Sequence, residues 1–209
     1  MFLKIFKFII DDFYKLSQFF EKNRLIHFKI DDDKLIFKIN LIEKLNDNYL
    51  RIQYDFTNEL KVTNFNTVLS IQSNIMYFQI DSTFYSIFSK FIHNLEIELK
   101  NNNIEIRFEN LVFEREKIWN FIENSYQILN LEIMTEKGLI ELPEDNSIDF
   151  SKFKFKLKEY PISWAQLVFK TADISFQFHF YINEINLPDY LKIKDLIGFF
   201  DYFEEYMKH

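Results

Sequence analysis

The sequence contains no cysteine and only two glycines and three prolines among 209 residues. Without cysteine the chain can form no disulfide, thiolate nucleophile, zinc knuckle or iron–sulfur site, which favours a cytoplasmic location. Few glycines disfavour phosphate-binding loops, because close approach of the backbone to a phosphate normally requires glycine. We ascribe the bias towards isoleucine, asparagine, lysine and phenylalanine to an AT-rich bacterial genome.

Motifs of catalytic and metal sites are also missing. The sequence has no Gly-x-Ser-x-Gly elbow, Walker loop, dinucleotide fingerprint or kinase signature. The histidines, at positions 27, 93, 179 and 209, do not have the spacing of metal ligands. The run Asp31–Asp33 lacks the glycine and the spacing of a calcium loop, so we interpret it as a turn. We therefore expect a protein that is not an enzyme and binds no cofactor or metal.

The charge and the hydropathy of the chain limit the kinds of partner that we expect for it. The net charge is -7 and the pI about 5.2, whereas nucleic-acid-binding domains are normally basic. Nucleic acid is therefore not an expected partner. Lys4 and Lys7 interrupt the apolar run at the start of the chain and no small-residue cleavage site follows, so we predict neither a signal peptide nor a transmembrane segment there.

Aromatic residues are abundant, with 27 phenylalanines and 11 tyrosines, and they predict a core rich in rings. A chain of 209 residues can form one large domain or two small ones. We predict a single domain over residues 1–209, with a boundary between two similar halves near residue 110. The alternative is a linker over residues 134–149, where turn-forming residues accumulate.

Helical periodicity occurs in four segments, residues 2–22, 82–93, 111–131 and 188–207. Asp81 is the expected N-cap of the second helix. The first helix has two interpretations. We favour packing on a sheet, and the alternative is contact with a membrane surface, because its polar face carries lysines.

Alternating apolar residues predict two hairpins. In residues 25–39 we expect Phe28 to pair with Phe37 across a four-residue loop. In residues 95–108 we expect Lys100 to pair with Glu105. Further strands are predicted over residues 49–56, 60–63, 68–72, 75–80, 151–158, 162–171 and 173–183. Runs of strands between helices predict the α+β class, with antiparallel sheets of hairpins and meanders covered by about four amphipathic helices, in two helix–meander–helix halves.

The strand predicted over residues 173–183 has a continuous polar face without a long charged side chain. Its members are Ser175, Gln177, His179, Tyr181 and Asn183. Such a face is typical of the solvent-exposed side of an antiparallel sheet, and it can also line a ligand groove or a protein interface. Gln177, His179 and Tyr181 are therefore candidate binding residues.

A second candidate surface is a stripe of lysines at alternate positions of residues 150–160, namely Lys152, Lys154, Lys156 and Lys158. The aromatic residues between them point to the opposite face, so they cannot stack on bases held by the lysines. We interpret the stripe as protection of a strand against edge-to-edge association. The alternative is a docking face for an acidic partner or for the protein's own acidic helices, such as the last one with Asp201, Glu204 and Glu205.

Together these features predict a non-catalytic, cytoplasmic protein that binds another protein. An immunity protein, the stoichiometric inhibitor of a bacterial toxin, is the member of this class that we favour, because electrostatic attraction would steer an acidic inhibitor towards a basic toxin domain. One alternative is a small-molecule-binding protein or enzyme that uses the polar strand face around His179. Another is a secretion-type chaperone, whose layout of helices and strands is similar to the first half.

Overall fold

The computed structural model of the protein describes residues 1–30, 33–57, 62–142, 159–169, 174–181 and 183–207. These residues form twelve strands and four helices. The α+β class is confirmed. The chain divides into two compact units: an N-terminal unit, Leu3–Leu111, and a C-terminal unit, Met1–Phe2 with Val112–His209. That all 209 residues form a single domain stays a prediction.

The N-terminal unit contains most of the strands and two of the helices. In chain order its elements are β1 (Phe2–Ile10), α1 (Phe13–Lys22), β2 (Leu25–Ile30), β3 (Asp33–Lys44), β4 (Tyr49–Thr57), β5 (Val62–Ser70), β6 (Ile75–Ile80), α2 (Ser82–Asn101) and β7 (Ile106–Asn110). The strand order in its sheet is β2-β3-β4-β5-β6-β1, and β7 pairs with β1. Strands β4 and β6 confirm two predicted strands, whereas the two predicted over residues 60–63 and 68–72 are the single strand β5.

Phenylalanine rings fill the core of this unit. Phe91 of α2 has no exposed surface and lies at the centre. Its ring centroid is 5.3 to 6.4 Å from those of Phe28, Phe37, Phe56, Phe78, Phe84 and Phe88. The prediction of a ring-rich core is confirmed, and most of these pairs have the edge-to-face or tilted geometry that aromatic quadrupoles favour.

The predicted helix over residues 2–22 is wrong in its first half, because residues 2–10 form β1. Leu3 and Ile5 are buried on one face of the strand and Phe6 and Phe8 on the other. A strand buried on both faces shows no simple alternation, so its pattern can resemble that of a helix. Helix α1 begins only after Asp12, whose side chain accepts hydrogen bonds from the backbone N–H groups of the first turn.

The structure also removes the reason for expecting residues 2–22 to contact a membrane surface, which was an exposed apolar helix face. The apolar side of α1 consists of Leu16, Phe19 and Phe20, and all three are buried in the core of the unit. In addition, none of the helices in the described ranges combines the length and the apolar character needed to cross a bilayer.

The first hairpin forms, but with another register. Phe28 lies opposite Leu35, and Phe37 opposite Ile26, so the expected pairing of Phe28 with Phe37 is wrong. The loop has an even number of residues, as expected, but Ile30 opposite Asp33 leaves two residues in it and not four. The remainder of the predicted turn, Asp31 and Asp32, lies outside the described residues.

The second predicted hairpin does not form, because α2 continues through residues 95–101. Leu95 and Leu99 are four residues apart, so both lie on the buried side of the helix, whereas Ile97 is 45% exposed. Lys100 therefore does not pair with Glu105, and β7 pairs with β1. Asp81 caps α2 as predicted, since its Oδ1 accepts a hydrogen bond from the backbone N–H of Phe84 at 2.7 Å.

The C-terminal unit is a smaller sheet with two helices on one face. Its elements are α3 (Arg115–Glu123), β8 (Gln127–Thr135), β9 (Gly138–Leu142), β10 (Ile162–Phe169), β11 (Ile174–His179), β12 (Glu184–Asn186) and α4 (Ile193–Met207). The strand order is β12-β11-β10-β8-β9. Rings join helices to sheet, with centroids 6.0 Å apart for Phe121 and Phe176 and 5.4 Å apart for Phe178 and Phe203.

Several boundaries in this unit differ from the predictions. The helix predicted over residues 111–131 ends at Glu123, and the second half of that segment forms β8. Just before β8, the backbone N–H of Tyr126 donates to the carbonyl of Val168. The last helix starts at Ile193 and not near residue 188. Residues 134–142 of the alternative linker belong to β8, a turn and β9. Residues 143–149 and the strand predicted over residues 151–158 lie outside the described residues.

The two units do not share one arrangement of strands. In the N-terminal unit the sheet follows the chain from β2 to β6 and then returns to β1, whereas in the C-terminal unit β8 lies between β9 and β10. The predicted helix–meander–helix halves are therefore not confirmed.

Asparagine takes the place of glycine in three turns. Asn74, Asn103 and Asn183 have φ angles of 54°, 60° and 52°, in the left-handed region that glycine normally occupies. Asparagine tolerates this conformation better than most residues do, because its short side chain can form local hydrogen bonds.

Candidate protein-binding surface on the C-terminal sheet

The polar face predicted for β11 belongs to a larger surface that extends over five strands. Opposed residues of an antiparallel pair lie on the same face of a sheet. His179 is opposite Trp164 and Glu184, and Trp164 is opposite Glu132, which in turn is opposite Glu141. We call these five residues, from β9 to β12, the ring row.

A row of side-chain amides lies beside the ring row. Four strands contribute one residue each to this amide row, which consists of Asn130, Gln166, Gln177 and Asn186. Asn186 Nδ2 donates to Gln177 Oε1 at 3.4 Å, and Asn130 Nδ2 donates to Glu141 Oε1 at 2.8 Å. The two rows together form what we call the outer face. Amides both donate and accept hydrogen bonds. Asn130 is buried, and the other three amides are half-buried, so they can match the exposed polar groups of a partner.

The alternation of β-strands fixes the position of the outer face. The residues between its members point to the other side of the sheet, and Leu131, Ala165, Phe178 and Ile185 there have no exposed surface. A shift of one residue in register would exchange these apolar side chains with the polar ones, so burial of the apolar side also holds the polar side in place.

Two rings stack at the centre of the ring row. The indole of Trp164 and the imidazole of His179 have centroids 5.9 Å apart and planes inclined by 27°. On the other side of Trp164, on β8, lies Glu132. Both rings are half-buried, so part of the stack is open to contact.

A β-bulge places Glu132 next to the indole. The pairing of β10 with β8 shifts between Ile162 and Trp164, and Ser163 is the extra residue. Its hydroxyl donates a hydrogen bond to a carboxylate oxygen of Glu132. Bulges are frequent next to functional sites because they change the direction of a side chain.

The outer face is acidic. The five strands of the C-terminal unit contain three glutamates, Glu132, Glu141 and Glu184, of which Glu184 is buried, and neither lysine nor arginine. Glu132 and Glu141 are directly opposite each other on neighbouring strands. Like charges in this position destabilise a sheet, and each of these carboxylates accepts a hydrogen bond from a neighbouring side chain.

The polar face of the N-terminal sheet also carries side chains that hydrogen-bond to one another. Arg51 Nε donates to Asn66 Oδ1 at 2.9 Å, and Asn64 Nδ2 donates to Asp55 Oδ1 at 2.9 Å. Hydrogen bonds from Asn64 and Asn40 hold the pKa of the Asp55 carboxyl below its ordinary value. This face carries a cation, Arg51, which pairs with Glu43, whereas the strands of the outer face contain neither lysine nor arginine.

The predicted binding residues are only partly brought together. Gln177 and His179 lie in the outer face, whereas β11 ends at His179, so Tyr181 lies in the following turn, where it is 59% exposed. Asn183 is buried in the same turn and does not continue the polar face. The stripe of Lys152, Lys154, Lys156 and Lys158 lies outside the described residues.

Comparison with known proteins gives no family for the chain. No family model matches it, and no curated protein sequence matches it. Its function must therefore be inferred from the outer face itself.

A ligand cavity and a metal site have less support than the outer face has. Two shallow cavities, of about 280 and 260 Å³, lie in the N-terminal unit and contain no outer-face residue. Within the described ranges, no three histidine, aspartate or glutamate side chains come together as they would around a metal ion.

Seven outer-face residues escaped the sequence analysis, namely Asn130, Glu132, Glu141, Trp164, Gln166, Glu184 and Asn186. The alternation in ISWAQLVF places Trp164 and Gln166 on one side of a strand, and this signal was available. What the sequence did not contain was the register that brings them next to His179 and Gln177.

Proposed function

We propose that the protein is a non-catalytic binding protein that docks another protein on the outer face of its C-terminal sheet. The observation that carries this proposal is the half-buried stack of Trp164 and His179 beside a row of four amides. Protein interfaces are enriched in aromatic residues at their centre, and tryptophan is prominent among the residues that dominate binding energy.

The charge of the chain supports one member of this class. A net charge of -7, half-buried Glu132 and exposed Glu141 favour a basic partner, which electrostatic attraction would bring to the surface. We therefore propose a cytoplasmic, stoichiometric inhibitor of a basic protein, such as an immunity protein of a bacterial toxin domain. A secretion-type chaperone is a further member of the class, whose partner would be an extended segment of another protein.

Affinity capture with paired variants tests the docking surface. Gln177→Arg places a large cation in the amide row, where it should block a basic partner. Gln53→Arg is the matched control, because Gln53 is half-buried on the polar face of the N-terminal sheet and donates to Asn64 Oδ1 at 3.2 Å. Wild type and both variants, checked for native circular dichroism, serve as bait in lysate of the source cells.

The expected result is one protein, recovered in stoichiometric amount with wild type and Gln53→Arg and lost with Gln177→Arg. The proposal is wrong if all three baits recover the same proteins, or if none recovers a protein. A defined small molecule released on denaturation, with no captured protein, would instead support a ligand site around His179.

A further inference from the structure

We infer that the outer face receives an arginine side chain of the partner, with the guanidinium stacked on the Trp164 indole and paired with Glu132. This inference rests on the proposed function and specifies the chemistry of the partner. Its basis is the stack of Trp164 and His179 and the two carboxylates next to it, Glu132 and Glu141.

The indole of Trp164 lies between an aromatic and an acidic neighbour. His179 on β11 stacks with it, and Glu132 is its partner on β8. A cation above the face of a tryptophan within about 6 Å of the ring centre is attracted by the ring quadrupole, and tryptophan is the strongest of the aromatic side chains in this role.

Two carboxylates lie on the same side of the indole. Glu132 is opposite Trp164, and Glu141 is opposite Glu132, one strand further away. A cation between the indole and these carboxylates would reduce the repulsion of the two glutamates. Since the five strands contain neither lysine nor arginine, that cation has to come from outside them.

Arginine fits this place better than lysine. Its guanidinium is planar, stacks on aromatic rings and can donate two parallel hydrogen bonds to one carboxylate. Glu132 already accepts a hydrogen bond from Ser163, but a carboxylate has about four acceptor positions, so others remain for the guanidinium. The ammonium of lysine is more strongly hydrated and offers no plane for stacking.

The two tryptophans of the chain make a direct test feasible. Trp119 is buried, with 2% of its surface exposed, so its indole N–H signal in a ¹⁵N-labelled NMR spectrum serves as an internal control for that of Trp164. The probes are the blocked peptide Ac-Gly-Arg-Gly-Arg-Gly-NH₂ and its lysine and citrulline counterparts, at an ionic strength of about 0.15 M. Citrulline keeps the shape of arginine without its charge.

We expect the arginine peptide to shift the Trp164 signal in a saturable manner and to leave the Trp119 signal unmoved. The lysine peptide should bind several-fold more weakly, and the citrulline peptide should cause no saturable shift. Glu132→Gln should weaken binding of the arginine peptide by about tenfold, because it removes a charge-assisted hydrogen bond. Trp164→Phe lacks the indole signal, so its binding is followed through the backbone amide signals of β10. This variant should weaken binding less, since phenylalanine retains a ring with a weaker quadrupole.

Glu43→Gln is the matched control. Glu43 pairs with Arg51 Nη1 at 3.5 Å on the polar face of the N-terminal sheet, so its loss should not change peptide affinity. The inference is overturned if Glu132→Gln binds the arginine peptide as wild type does, if the lysine peptide binds equally well, or if the Trp164 signal does not move.

Captured partners separate this inference from the proposed function. If Glu132→Gln still recovers a partner that Gln177→Arg loses, the outer face binds a protein but not through an arginine at Glu132. If Gln177→Arg and Gln53→Arg recover the same proteins as wild type, the docking surface itself is wrong.

Discussion

Alanine replacements of Leu99 and Ile97 should distinguish helix α2 from the hairpin that the alternation of residues 95–108 predicts. In a hairpin the two side chains would lie on the same apolar face, and their removal would cost similar amounts. In α2 they lie on different sides, with Leu99 fully buried and Ile97 45% exposed. The pair therefore tests the structure where it departs most from the sequence pattern.

The magnitudes follow from burial. Removal of a fully buried leucine side chain loses its transfer free energy and leaves a cavity, so Leu99→Ala should lower the free energy of unfolding by about 2–5 kcal/mol. Ile97 buries only about half of its surface, and alanine has the higher helix propensity, so Ile97→Ala should cost less than about 1 kcal/mol.

Urea unfolding followed by far-ultraviolet circular dichroism measures both changes. Tryptophan fluorescence is less suitable, because Trp119 and Trp164 both lie in the C-terminal unit and not in the unit that contains α2. Equal destabilisation by the two replacements would refute the helical assignment of residues 95–101. A large loss from Ile97→Ala alone would refute the assignment of the buried side.

Two further predictions concern a helix cap and a surface carboxylate. Asp81→Ala removes the hydrogen bond to the backbone N–H of Phe84 and should lower the free energy of unfolding by about 0.5–2 kcal/mol, whereas Glu114→Ala, at a helix start without a side-chain cap bond, should have a smaller effect in the same urea titration. The hydrogen bond from Asn64 lowers the pKa of Asp55 from its ordinary value of 3.8, so the ionised carboxylate stabilises the folded state above that pH and its contribution falls as the pH drops through the folded-state pKa. Asp55→Asn should therefore be less stable than wild type near neutral pH, and the difference should shrink below about pH 4 in thermal unfolding. A difference that does not vary with pH would contradict this.

Elements with one buried face could be predicted from the sequence. The apolar residues of β4 alternate with polar ones, so the strand was recognised nearly to its ends. Elements that are buried on both faces, or whose pattern fits both a helix and a strand, could not be recognised. β1 is buried on both faces and resembled a helix, whereas the segment from Leu95 to Leu99 satisfies the strand and helix patterns equally and only packing of its buried side decides between them.

The candidate site shows the same limit. The polar face of β11 was visible, but a single strand gives no information on its neighbours. Trp164 and Glu132 lie 15 and 47 residues away from His179 in the chain, and only the strand order of the folded sheet places them in one row. The bulge at Ser163 also has no clear signal in the sequence, although it changes the position of Trp164 relative to Glu132.

The asparagines at left-handed φ explain how a chain so poor in glycine can still make tight turns. Asn74, Asn103 and Asn183 each occupy a conformation in which most other side chains would be strained. Codon composition can therefore drift far towards adenine and thymine without loss of these turns, because the residue that it favours is also the best substitute for glycine. A relative of this protein encoded by a GC-rich genome should have glycine at these three positions, and such a pattern would identify the turns by sequence alone.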